Sequence, residues 1–155
     1  MLLKALVDHD VRFVLIGGLA AVLHGSPTIT RDLDVCYARD GENADRLAQA
    51  LRTLQAKLRG APEDVVFLLD GRTLLAGDSF TFVTKGGPFD CLGTPAGTSG
   101  FDDLNANAVE MDIEGMKIRV VSLNDLIRMK RASGRPKDRI ELEVLGALRE
   151  ELEKG

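Results

Sequence analysis

Asp32 and Asp34 are the residues of this sequence whose type and spacing point most directly to chemistry. Residues 32–37 alternate in polarity and predict a strand, in which side chains two apart lie on the same side. Two neighbouring carboxylates repel each other, and a divalent cation between them removes that repulsion. Hard oxygen ligands of this kind select Mg²⁺ or Mn²⁺. The pair therefore predicts a metal site, although exposed strand faces often carry the same pattern.

A glycine pair, Gly17 and Gly18, ends the apolar run 13–16 and opens a short helix predicted over residues 19–24. Small residues at this point let a phosphate approach backbone N–H groups at the positive end of the helix dipole. A phosphate cradle beside a metal-binding pair provides the two halves of a nucleoside triphosphate site. Arg31, next to the acidic pair, is either a further phosphate contact or a solvated charge at the end of a strand.

A metal-dependent site of this kind needs a third carboxylate, both to complete the metal site and to take a proton from an attacking hydroxyl. Asp90 lies in the apolar segment 89–92, where an unpaired carboxylate is costly. We therefore predict Asp90 as the third acid, the alternative being a structural aspartate with its own partner. The remaining candidates fit turns, a cap or the polar face of a hairpin better: Asp70, Asp78, Asp102, Asp103 and Asp112.

Basic residues are concentrated in one stretch, residues 125–139, which holds six of them against two aspartates. Lys130 and Lys137 could reach a triphosphate or a nucleic-acid backbone from there, and the alternative is a pair of solvated helix faces. His24 and both cysteines are predicted to be packed structural residues. The six basic residues are Arg128, Lys130, Arg131, Arg135, Lys137 and Arg139.

Strands and helices alternate along the chain, which predicts an α/β fold. Helices are expected at residues 2–7, 19–24, 42–58, 122–132 and 136–152. Strands are expected at residues 13–16, 32–37, 65–69, 80–83 and 89–92, with a hairpin over 109–121. The Pro- and Gly-rich stretch 94–100 is expected to be a loop rather than a domain linker.

The composition bounds the function further. A chain of 155 residues predicts one domain, and 20 basic against 24 acidic residues argue against a broad nucleic-acid-binding surface. No apolar run is long enough to span a bilayer, so we expect no membrane association and a cytoplasmic protein.

Two segments, VLIGGLAAVLHG at 14–25 and TRDLDV at 30–35, resemble the signature of the minimal nucleotidyltransferases of the DNA polymerase beta superfamily. The closest likeness is to the branch that contains the AbiEii-type toxins, whose C-terminal helices are similar to residues 122–130 and 134–138. The resemblance implies a mixed β-sheet flanked by helices, with further helices at the C-terminus. It also implies triphosphate contacts at Gly17 and Gly18 and metal binding at Asp32, Asp34 and Asp90.

Two departures from that signature stand out. Many superfamily members have Gly-Ser where this chain has Gly17 and Gly18, so a serine hydroxyl is missing. Relatives often carry a basic residue where this chain has Thr28, a role that Arg31 would have to take over.

These features predict a Mg²⁺-dependent nucleotidyltransferase that moves a nucleoside monophosphate from a nucleoside triphosphate to an acceptor hydroxyl. The acceptor would be a tRNA end, a protein or a small molecule, and the branch resemblance adds a possible toxin–antitoxin role. The alternative is a non-catalytic module that binds a nucleotide or a protein partner. A third option is an antibiotic-modifying transferase. The small size also predicts a cognate protein partner or self-association for acceptor selection.

Overall fold

A computed structural model describes residues 1–62, 64 and 66–154, without the side chain of Lys137. In this part of the chain the helices are α1 (Leu2–Asp8), α2 (Gly17–Leu23), α3 (Gly41–Thr53), α4 (Gly71–Ala76), α5 (Phe101–Asn107), α6 (Leu123–Ser133) and α7 (Pro136–Lys154). The strands are β1 (Phe13–Ile16), β2 (Leu33–Tyr37), β3 (Lys57–Leu58), β4 (Ser79–Thr84), β5 (Gly87–Leu92), β6 (Val109–Ile113) and β7 (Met116–Val120). None of the helices in these residues is both long and apolar enough to cross a membrane.

The strands form one mixed sheet in the order β3-β4-β5-β2-β1-β7-β6. Strand β2 lies near its centre, antiparallel to β1 and parallel to β5. All four residues of β1 are buried, as expected for a continuous apolar strand that is covered on both faces. Helix α2 contacts β1, β2 and α6, and α6 packs against α7. These contacts place the C-terminal helices beside the ends of the central strands.

The register of β2 determines which side chains meet. Asp34 pairs with Ile16 across β1 and with Asp90 across β5. The chain turns directly from Ile16 into Gly17, so the glycine pair, Asp34 and Asp90 lie at the same end of the central strands.

Most of the predicted elements are confirmed, whereas helix α4 and strand β3 were not predicted. Helix α2 begins at Gly17, two residues earlier than predicted, and residues 101–107 form a helix where only a turn was expected. Helix α3 ends at Thr53 because Gln55 adopts a positive φ of 53°, after which Lys57 and Leu58 pair with β4. The strand predicted at 65–69 is wrong for residues 66–69, which form no strand, and Val65 lies outside the described residues.

The predicted caps of the C-terminal helices are confirmed. The hydroxyl of Ser122 accepts a hydrogen bond from the backbone N–H of Asp125 at 3.1 Å and caps α6. Gly134 ends α6 with a left-handed φ of 63°, and Pro136 begins α7. The two helices therefore meet at a sharp corner.

Candidate functional site

A cleft of about 490 Å³ opens where β1 ends and β2 begins, and the corner between α6 and α7 faces it. It collects residues from distant parts of the chain. Six of the seven site residues predicted from the sequence line it: Gly17, Gly18, Asp32, Asp34, Asp90 and Lys130. The structure thus brings the predicted residues together, while their individual roles stay predictions.

Asp34 is the most strongly perturbed acid of the cleft. Burial raises its pKa from 3.8 to about 7, and hydrogen bonding and repulsion from Asp90 and then repulsion from Asp32 add to the effect. The charge of Lys130 acts in the opposite direction. Negative charge is therefore crowded at this point, and a bound cation would relieve it.

The absence of a side chain at Gly17 leaves room for the carboxylate of Asp34. Gly17 has a φ of 73°, and a Cβ atom built on it would collide with the Asp34 carboxylate. The glycine pair was predicted because phosphate needs space there, whereas the structure shows that Asp34 already uses the space beside Gly17. Only glycine meets both the backbone requirement and the steric one.

Gly18 has a different neighbour. A Cβ atom at Gly18 would lie 3.0 Å from the Oγ1 atom of Thr30, a side chain that also lines the cleft. The sequence predicted the loss of a hydroxyl at this position, because serine is absent. The structure places the Thr30 hydroxyl beside Gly18. This contact could not be predicted, because only the fold brings the two residues together.

Asp90 has a cationic partner outside the sequence-predicted site. The Nη2 atom of Arg59 lies 3.3 Å from Asp90 Oδ1 and donates to the carbonyl oxygen of Phe82 at the same distance. Arg59 follows the short strand β3, which the sequence did not predict. This pairing was therefore missed.

The chemistry of the acidic residues fits a hard divalent cation. Asp34 and Asp90 are neighbours in register, Asp32 raises the pKa of Asp34, and all three offer carboxylate oxygens to one cleft. Within the described residues, however, no three His, Cys, Asp or Glu side chains are already gathered tightly enough to hold an ion. Asp32 is exposed and Asp90 is engaged by Arg59, so ion binding would require these two side chains to move.

Lys130 reaches the cleft from α6 and is paired with two acids of α7. Its Nζ atom lies 3.4 Å from Asp138 Oδ1 and also contacts the carboxylate of Glu141. Asp138 is 1% exposed and accepts further hydrogen bonds from Ser133 Oγ and from Arg135, at 2.9 Å from Nε. These interactions hold the pKa of Asp138 well below its usual range despite its burial. Ser133, Arg135 and Glu141 also line the cleft and were not predicted as site residues.

The other basic candidates are placed elsewhere. Arg31 is exposed and is not among the residues that line the cleft, so the structure does not bring it to the others, and its phosphate contact stays a prediction. Arg128 pairs with Asp103 and Asp125 at 3.0 and 3.3 Å. The side chain of Lys137 lies outside the described residues. Thr28 lines the cleft, where its hydroxyl is 3.0 Å from that of Ser26.

The prediction that His24 and the two cysteines are packed structural residues is confirmed. His24 Nε2 lies 2.7 Å from the carbonyl oxygen of Val121, which ties the end of α2 to the segment after β7. Cys36 and Cys91 are buried free thiols, and burial raises the pKa of each to about 12.

Comparison with known proteins places this geometry in context. A family model described as aminoglycoside-2''-adenylyltransferase matches residues 1–145. No curated protein gave a significant match. The lincosamide antibiotic adenylyltransferase LnuA, solved with lincomycin bound, has a similar structure, with a TM-score of 0.62 at 15% identity over 94% of this chain and 92% of that one.

Two other solved structures are also similar. ANT(2'')-Ia in complex with adenylyl-2''-tobramycin has a TM-score of 0.57 at 16% identity, covering 99% of this chain and 93% of that one. The Thermotoga maritima protein TM1012 has a TM-score of 0.53 at 20% identity, covering 99% and 89%. At these identities the likeness concerns the fold, and the predicted mixed α/β fold with flanking helices is confirmed.

Substituting Gly17 by alanine tests its contact with Asp34. Gly115→Ala is the matched control, because Gly115 has a similar φ of 83° but open space where a Cβ would stand. We expect both variants to lose about 1–2 kcal/mol of unfolding free energy from backbone strain, and Gly17→Ala to lose clearly more because it displaces Asp34. Urea unfolding measures the difference. Equal losses in the two variants would show that Asp34 moves away at no cost.

The pKa of Asp34 predicts a pH dependence of stability. Since its folded-state value of about 7 exceeds the usual 3.8, the folded protein holds this proton more tightly than the unfolded chain. Its contribution is therefore complete below about pH 4 and is lost as the pH rises through about 7. In metal-free buffer we expect the melting temperature of the wild type to fall relative to that of Asp34→Asn over this range. Parallel curves would contradict the assignment.

Proposed function

The chain belongs to the aminoglycoside-2''-adenylyltransferase family, and from that premise we propose that it transfers an adenylyl group from ATP to a hydroxyl of a small, positively charged acceptor. Membership of this family confirms the predicted nucleotidyltransferase class. The ATP specificity, the Mg²⁺ dependence and the acceptor are parts of the proposal.

The observation that carries the proposal is the meeting of three carboxylates, a glycine pair and a lysine in one cleft. Asp34 and Asp90 lie on the parallel strands β2 and β5, Asp32 directly precedes β2, and Lys130 faces them from the other wall. A triphosphate needs cationic and backbone donors, and an acceptor hydroxyl needs a base close to the reacting phosphate. The cleft offers both kinds of group.

Each side chain has a proposed role in the reaction. The acceptor oxygen bonds to the α-phosphorus while the bond from that phosphorus to the β-phosphate oxygen breaks, and pyrophosphate leaves. Asp90 accepts the proton of the acceptor hydroxyl, and Lys130 and the backbone at Gly17 and Gly18 orient the triphosphate. Asp32 and Asp34 would hold Mg²⁺, which when bound neutralises charge on the phosphates.

The charges of the cleft favour a cationic acceptor. Four carboxylates line it, those of Asp32, Asp34, Asp90 and Glu141, against the cations of Lys130 and Arg135. The structural neighbours include enzymes that act on antibiotics, and ANT(2'')-Ia has been solved with adenylyl-2''-tobramycin. We therefore propose an amino sugar as the acceptor class, which corresponds to the third option considered from the sequence.

The other acceptors and roles inferred from the sequence are less well supported. A tRNA or protein acceptor, membership of the AbiEii-type branch, a toxin–antitoxin role and a cognate partner remain predictions. No feature of the cleft favours them over a small acceptor.

Substituting the acidic residues tests the proposed chemistry. We expect Asp32→Asn, Asp34→Asn and Asp90→Asn each to lower adenylyl transfer by about 100-fold or more, because each removes a metal ligand or the base. Asp112→Asn is the control, since Asp112 is an exposed residue of the β6–β7 hairpin. Pyrophosphate release from ATP with Mg²⁺ and a panel of amino sugars measures the effect, and melting curves confirm that the variants fold.

The same assay separates the enzyme from the non-catalytic alternative. If ATP and Mg²⁺ raise the melting temperature but no acceptor releases pyrophosphate, the chain is a nucleotide-binding module. If Asp32→Asn and Asp34→Asn keep full activity, the proposed site is wrong.

A further inference from the structure

Lys130 has two carboxylate partners that differ sharply in their surroundings. Asp138 is 1% exposed and accepts hydrogen bonds from Ser133 and Arg135 in addition to its contact with Lys130. Glu141 is 38% exposed and contacts Lys130 from the side of the cleft. Both acids lie on α7, three residues apart, so they present to the same side of that helix.

The two pairs differ in the cost of breaking them. Taking Lys130 away from Asp138 would leave a buried charge with one partner fewer, which is expensive in a nearly dry environment. Taking Lys130 away from Glu141 is cheap, because water can solvate the half-exposed carboxylate. Only the pair with Glu141 can therefore be exchanged readily for another anion.

A triphosphate would compete with Glu141. Lys130 and Arg135 are the cations among the described residues that line the cleft, and Arg135 is already paired with Asp138. A polyanion that enters must displace Glu141 from Lys130, and the negative charge of Glu141 repels it. The arrangement thus contains one fixed and one replaceable partner for the same ammonium group.

We infer that Glu141 is the exchangeable partner of Lys130, which it neutralises until the triphosphate displaces it, so that Glu141 sets the affinity for the nucleotide. This inference rests on the proposed function, because it takes the ligand to be a nucleoside triphosphate. Asp138 is the fixed partner and holds Lys130 in place in both states.

The first test compares two glutamate variants of α7. Glu141→Gln removes the competing charge, and Glu143→Gln makes the same charge change at an exposed residue that does not line the cleft. We expect Glu141→Gln to bind a non-hydrolysable ATP analogue about two- to fivefold more tightly than the wild type, the range that a partly exposed ion pair allows. Glu143→Gln is expected to bind like the wild type. Calorimetric titration with Mg²⁺ and without acceptor measures the affinities.

The second test asks whether the effect acts through Lys130. In a Lys130→Met background, the gain in affinity for the ATP analogue that Glu141→Gln causes is expected to shrink to the size of the Glu143→Gln effect. A gain that persists there would show simple repulsion and overturn the inference. Melting curves verify that all variants fold.

The outcomes distinguish a wrong role for Glu141 from a wrong proposed function. If the wild type binds the analogue and Glu141→Gln binds it equally or more weakly, the role of Glu141 is wrong and the proposed function stands. If the wild type binds no nucleotide at all, the proposed function fails and takes this inference with it.

Discussion

The pairing of β2 with β1 on one side and β5 on the other is the constraint on which the cleft depends. It sets Asp34 opposite both Ile16 and Asp90, and the turn after Ile16 then brings Gly17 against the Asp34 carboxylate. A shift of one residue in either pairing would turn Asp34 to the other face of the sheet. Backbone hydrogen bonds of the sheet therefore hold Asp34 and Asp90 side by side, although the two carboxylates repel each other.

The opposite wall of the cleft is ordered by a single buried acid. Asp138 joins the end of α6 to the start of α7 through Ser133, Lys130 and Arg135. A buried carboxylate is tolerated there because donors surround it. The cleft therefore lies between an acidic wall fixed by strands and a mixed wall fixed by one corner of two helices.

Prediction from the sequence succeeded for the elements that depend on a single local pattern. The apolar run of β1 predicted a strand buried on both faces, and the apolar residues around Asp90 predicted the strand β5. It failed where tertiary contacts decide: Gln55 ends α3 with a backbone conformation unusual for a non-glycine residue, and the two-residue strand β3 exists only through its pairing with β4. Arg59 and Glu141 were missed for the same reason, since their contacts with Asp90 and Lys130 depend on how the elements pack.

The parallel pairing of β2 with β5 also has a consequence for how the protein folds. Between these strands the chain forms α3, β3, α4 and β4, so Asp34 and Asp90 meet only after that whole excursion has returned to the sheet. Closing a loop of this length costs chain entropy, and here the closure also brings two acidic groups together. Protons or cations that neutralise the pair therefore favour the docking of β5 against β2, so the solution conditions that suit the completed cleft also favour its assembly.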